Sequence, residues 1–231
     1  MNFGLDQEQQ LIVETVRRFA DRDLRAWAAD ADRAGAPPER LAQVAGELGF
    51  FVDAVPADAG GLLAGPSSPT TRALRGFELG RGCPALAALL ESSVEPALAT
   101  ATWGSAAAKA ALFGSLAGGG AATFFHDSRG RVTIDGARIS GKLGPTPALA
   151  GASHVLVAAS GVLALVPTDG LHVSAMIPSG WRAAKWGTAQ LDDVRIPDDF
   201  ILSRDPSAIA DVLAWANTSL AARACGVAVA A

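Results

Sequence analysis

Few residues in this chain could do chemistry, and they are scattered. The three histidines, His126, His154 and His172, stand singly, without the short His/Cys spacing at which side chains share a metal ion. His126 is the most suggestive of them. It follows an apolar run and precedes Asp127, Ser128 and Gly130, which suits a turn residue satisfied by its neighbours first and a general base second. Lys142 beside Gly141 reads as a solvated loop lysine, and Asp192-Asp193 with Arg195 as a charged strand terminus. Gly60-Gly61 has the flexibility of a phosphate loop but lacks the downstream Lys-Ser/Thr that such a loop needs. Trp181 and Trp186 bracket the loop WRAAKW, which could rim a ligand groove, form a subunit contact or pack in the core, and at least one ring is expected to be exposed. Cys83 and Cys225 have no CxxC partner and read as buried thiols rather than a disulfide or metal pair. The sequence therefore offers no assigned catalytic residue and no metal site.

Composition narrows the function classes further. The chain has 231 residues, half of them apolar and 18% charged, which is ample for a hydrophobic core. A formal charge of −4 leaves no basic footprint for nucleic acid. No apolar run approaches the roughly 20 residues of a bilayer span, and the polar, acidic start MNFGLDQEQQ is not that of a secretory signal. The expectation is a cytoplasmic protein with no membrane or nucleic-acid partner.

The elements that must position these residues change type along the chain. Asp6 suits an N-cap, and Leu11, Ile12, Thr15, Val16 and Phe19 follow at helical spacing. Asp30–Pro38 breaks that helix, Pro38 opens another over Glu39–Leu48, and Gly49 closes it. A Gly/Pro/Ser-rich loop follows, then helices over Thr71–Gly80, Pro84–Leu90, Val94–Thr100 and Ser105–Phe113, with a linker at Leu116–Gly120. From there the pattern is short strands between turns, at Ala121–Phe125, Val132–Ile134, Val155–Ala159 and Val162–Val166, as in a small sandwich or barrel. Helical pattern returns over Ala208–Trp215 and Ser219–Ala231. The fold class is α+β: an N-terminal helical domain over residues 1–118, a small β-sandwich or barrel domain over 119–204, and the start of a C-terminal helical domain over 205–231. The last helix carries Leu220, Ala224, Val227 and Ala231 on one face and ends without a capping group. The expectation is that the chain is truncated there, or that another subunit supplies the missing face.

In this order the pieces resemble the acyl-CoA dehydrogenase family. FGLDQEQQLIVETVRRFA looks like the family's first helix. Asp32, Gly35 and Pro38 match its D-x-x-G-x-x-P turn, and LGFF with VPADAGGLLAG is similar to its L-G-F…V-P-x-x-x-G-G-x-G loop. ISGKLGPTPALAGASHVLV looks like its G-x-K…A-D…V segment, and LDDVRIP like its D-V-x-V-P strand. The resemblance implies FAD as hydride acceptor and α,β-desaturation of an acyl-CoA thioester, with a catalytic Glu on a third domain that no residue here matches. It places Thr123, Phe125, His126, Gly144 and Thr146 at the flavin. The family's T-E-P is replaced by His126-Asp127-Ser128 and its W-I-T by Gly144-Pro145-Thr146, so the flavin motifs are eroded. The resemblance thus implies a subunit that is non-catalytic by itself, acting as a homo-oligomer or with a related dehydrogenase subunit. The alternatives are a binding or scaffold protein without flavin, and a flavin-dependent monooxygenase on the same fold.

Overall fold

Residues 4–50, 52–61 and 68–231 are described here from a computed structural model. The first helix, α1 (Gln7–Phe19), starts where the Asp6 carboxylate accepts from Gln9 N at 2.8 Å while the Gln9 side chain accepts from Asp6 N, a reciprocal capping box. It runs on through a π-type turn at Ala20–Leu24 into α2 (Arg25–Ala34), so the helix persists into the expected break and stops at Gly35, which takes a left-handed φ of 66°. Next are α3 (Arg40–Glu47) and α4 (Pro69–Gly82), the latter capped by Ser68. Then α5 (Pro84–Leu90), α6 (Val94–Trp103) and α7 (Ala106–Ala117) complete the helical part. The Gly60-Gly61 pair closes a turn, Gly61 N donating to Pro56 O at 2.9 Å; the rest of that loop, residues 62–67, lies outside the described residues, as does Phe51.

The β part is a pair of four-stranded sheets. One has the order β1 (Ala122–His126), β4 (His154–Ala159), β5 (Val162–Pro167), β8 (Ile201–Ser203), with β1 and β4 parallel. The other has β2 (Val132–Asp135), β3 (Arg138–Thr146), β7 (Gly187–Arg195), β6 (His172–Ala175), all antiparallel. Strands β4 and β5 are buried on both faces, which is why they read as unbroken apolar runs. Ile139, Leu143 and Leu191 of one sheet and Val155–Val157 and Leu163–Leu165 of the other share a core with α6 and α7. This α+β order is the one expected from the sequence.

Two expectations need correction. The closing segment is one helix, α8 (Pro206–Ala230), of 25 residues. Thr218 does not end it because its hydroxyl donates back to Ala214 O at 2.8 Å and stays within the helix. By length and composition alone α8 could also cross a membrane, contrary to the reading that no such segment exists. One face of α8 nonetheless packs on α4, with Ser219 and Gly226 buried. The second correction concerns WRAAKW. Its Ala183 and Ala184 enter the helical core, and both tryptophans are half-buried against that core, so neither ring is the exposed one expected. Trp186 Nε1 donates to Trp181 O at 2.9 Å, and Arg182 Nε donates to Asp32 O at 2.8 Å, pinning the β part to α2.

Candidate functional site

Four of the five residues placed at the flavin by resemblance lie near the C-terminal ends of β1 and β3. Thr123 precedes them on β1, where its buried hydroxyl donates to Pro147 O at 2.8 Å. Thr146, also buried, donates its hydroxyl to Gly144 O at 2.9 Å. Register between β3 and β7 slips between Leu143 and Thr146, which gives that end of β3 its irregular path. Phe125 is half-buried with its ring edge beside Gly144: a Cβ added there would meet only Phe125 Cε2, at 3.8 Å. His126 is exposed on the last rung of β1, opposite Ala158.

The neighbours of His126 serve structure. The Asp127 carboxylate accepts from Val132 N at 2.7 Å and Arg129 N at 3.2 Å. Its slight burial works against the charge, yet these N–H groups hold the carboxyl below its usual range. His154 is buried, with Nδ1 3.0 Å from Ser153 Oγ and its ring against Phe200, and burial pushes the imidazole toward the neutral form. His172 and Lys142 are exposed. Among the described residues no cluster of His, Cys, Asp and Glu could hold a metal ion. Of the two free thiols only Cys83 is buried; Cys225 is exposed on α8, against expectation, because it lies on the face turned from α4.

A second constellation escaped the sequence reading. Where α4, the α5–α6 turn and α8 meet, Arg75 is buried between Asp53 and Glu91, with Nε 3.2 Å from Glu91 Oε1. Arg223 of α8 reaches the other oxygen of Glu91 at 3.3 Å. Glu95, one turn along α6, is buried as well; burial raises its carboxyl above the usual range, against the pull of Arg223 and a hydrogen bond from Ser219. Among the described residues, Arg75 Nη2 and Arg223 Nε have no hydrogen-bond partner. The signal was present: Glu91 and Glu95 are two acids one helical turn apart inside a run that is otherwise apolar or small. The arrangement binds three segments together by charge, and it presents no nucleophile.

The helical segment matches the family model described as acyl-CoA dehydrogenase, N-terminal domain, over residues 6–120. The chain belongs to the acyl-CoA dehydrogenase family. Its fold is similar to that of a glutaryl-coenzyme A dehydrogenase in complex with glutaryl-CoA, at 22% identity and a TM-score of 0.83, over 100% of this chain and 66% of that one. A glutaryl-CoA dehydrogenase from Mycobacterium smegmatis in complex with FADH2 is similar at 23% identity and a TM-score of 0.81, over 96% and 62%. FkbI, a protein for biosynthesis of the methoxymalonyl extender unit of the Fk520 polyketide, matches at 27% identity and a TM-score of 0.73, over 97% and 67%. The chain thus spans less than two thirds of these two glutaryl-CoA dehydrogenases. No curated protein sequence matches it.

Family membership makes FAD the cofactor to test against these residues. A flavin ring offers acceptors along one edge and wants donors facing it and a flat surface to rest on. Both threonine hydroxyls are spent on backbone carbonyls inside the protein, and Asp127 is spent on its turn. No aromatic side chain stands at Gly144-Pro145-Thr146, and Phe125 offers part of one ring. Of the five residues, His126 alone keeps an exposed side-chain donor. As placed, this set does not fit the flavin ring.

Proposed function

We propose that this chain is an acyl-CoA dehydrogenase-type subunit that takes part in FAD-dependent α,β-desaturation of an acyl-CoA thioester without itself holding the flavin at its β1–β3 site. Family membership supports the reaction class, and dehydrogenases of similar fold have been obtained with glutaryl-CoA and with FADH2. The observation that carries the reading is the inward turn of Thr123 and Thr146, which leaves the family's cofactor face without hydroxyl donors. The chain would supply scaffold and interface, as a homo-oligomer or beside a related subunit that holds FAD. The purified chain is tested for visible flavin absorbance after incubation with excess FAD and desalting, and for acyl-CoA binding by calorimetry. The expected result is no retained flavin together with saturable acyl-CoA binding. One flavin per chain overturns the cofactor-free reading, and a chain that binds neither ligand is a scaffold.

A further inference from the structure

The helical part contains a cavity between α1, the turn that follows α3, and α4. It has a volume of about 270 Å³ and shares no residue with the β1–β3 set. Ile12, Val16 and Phe50 form its apolar wall. Leu11 and Leu48 also line it, and they are 61% and 39% exposed, two of the five exposed large apolar side chains among the described residues. Scattered exposed leucines are ordinary, but two on the lining of one cleft leave an apolar surface that gains by being covered. Asp53, Arg72 and Arg75 stand at the polar end. The Arg75 side chain is more than nine-tenths buried, and its Cζ lies 5.5 Å from the centre of the Phe50 ring, against the apolar wall. An apolar pocket with a few convergent polar groups at one end is the common form of a small-molecule site.

We propose that this cavity binds a neutral aliphatic molecule with a carbonyl or hydroxyl oxygen near one end, the oxygen accepting from Arg75 and the chain lying along Leu11, Ile12, Val16 and Phe50. The volume equals roughly nine water-sized volumes, room for about nine heavy atoms. Arg75 Nε donates to Glu91 and Nη1 to Asp53, but among the described residues Nη2 has no hydrogen-bond partner. The charges around it already balance: Asp53 and Glu91 face Arg75 and Arg223, and Glu95, close to Arg223, can add only negative charge. Arg72 lines the same end, and Asp53 acts on its charge as well. What Arg75 lacks is therefore an acceptor, not a counter-charge. A buried donor without a partner is costly, and an acceptor oxygen removes that cost. A carboxylate in its place becomes the third on one guanidinium, repelled by Asp53 and Glu91, and gives up its water beside an apolar wall. A neutral oxygen meets the donor without either penalty. The cavity is separate from the β1–β3 residues, so the proposal stands apart from the reading of the chain as a dehydrogenase subunit.

The test is calorimetric titration of the full chain with 2-octanone and, separately, with octanoate, which has a tail of similar length and a charge. Saturable 2-octanone binding is expected, with octanoate at least about tenfold weaker because its charge must be desolvated. The side-chain N–H resonances of Arg75 in the 15N-labelled chain are expected to shift as the ketone saturates. Thr15→Trp, which narrows the cavity, is expected to weaken ketone binding at least about tenfold while the thermal unfolding midpoint stays near that of the wild type. Absence of saturable 2-octanone binding to the wild-type chain at millimolar concentration overturns the proposal, as does octanoate binding as tightly as the ketone, or ketone binding that leaves the Arg75 resonances in place. Those three arms use the native protein, so they decide the matter whether or not a variant folds.

Discussion

Glu95 and Glu78 are two buried carboxylates with opposite pH behaviour. For Glu78, burial raises the pKa, but the hydrogen bonds from Arg17 at 2.7 Å and Arg81 at 2.6 Å outweigh it and the carboxyl falls below its usual value. A depressed carboxyl contributes stability above its unfolded value, about pH 4.3, and that contribution is lost as pH falls through the folded value. Glu95 is the reverse. Burial raises it, so its contribution is present below about pH 4.3 and is lost as pH rises through the folded value. Glu95→Gln mimics the protonated form. The variant should match wild type near pH 4 and exceed it at pH 8 by about 1–3 kcal/mol, the scale of an unsatisfied buried polar group. Chemical denaturation at both pH values checks this, and equal differences at the two would show that Glu95 keeps its proton throughout. Arg75→Met, in contrast, removes the buried cation between Asp53 and Glu91, leaves Glu91 only Arg223, and should cost about 3–5 kcal/mol. None of this was legible residue by residue: the acids could be seen to sit in an apolar run, but their partner Arg223 comes from the far end of the chain.

The element that most needs explaining is the crossing of α4 and α8. Gly76 and Gly80 lie one turn apart on α4, and a Cβ on Gly80 would overlap the carbonyl of Arg223. A Cβ on Gly226 would overlap the carbonyl of Phe77 in the same way. The helices touch backbone to backbone, and a methyl group must push them apart. Gly80→Ala and Gly226→Ala should each cost about 1–3 kcal/mol despite the better helix propensity of alanine. Gly114→Ala is the matched control: it lies inside α7 with nothing within 4 Å of its Cβ position, and it should gain roughly 0.5–1 kcal/mol. Urea midpoints give both signs, and a stabilised Gly226→Ala would mean the helices do not approach this closely. The contrast shows where sequence reading stops. Caps, turns and apolar faces are local, so Asp6, Gly49 and the strand runs could be read directly. Small residues signalled close packing, but their spacing does not say which helix approaches. The same limit hid the docking of Ala183 and Ala184 in the helical core, because WRAAKW carries no periodicity that names its partner.

At the scale of the whole molecule, α8 has one face spent and one open. Gly226 meets α4 at the Phe77 carbonyl, Ser219 is buried beside Glu95 of α6, and Val227 is half-buried, so the apolar face expected from the sequence is turned by part of a helical turn. The open side carries Leu220, 48% exposed, and Val229, 68% exposed, with Ala224 and Cys225 between them. Burying a Leu or Val side chain is worth about 1.5–3 kcal/mol, so two of them, with alanines that permit close approach, can hold a helix–helix contact. The expected outcome is association through this face, with a second copy or a related subunit. Leu220→Asp is a sharper test than Val227→Asp, since it charges the open face and leaves the α4 contact intact. It should weaken assembly at least about tenfold, the equivalent of 1.4 kcal/mol. Sedimentation velocity across the micromolar range, on the chain alone and mixed with a flavin-bearing family member, measures it. If the chain alone and in the mixture sediments as a monomer, or if Leu220→Asp leaves an observed assembly unchanged, association does not run through α8.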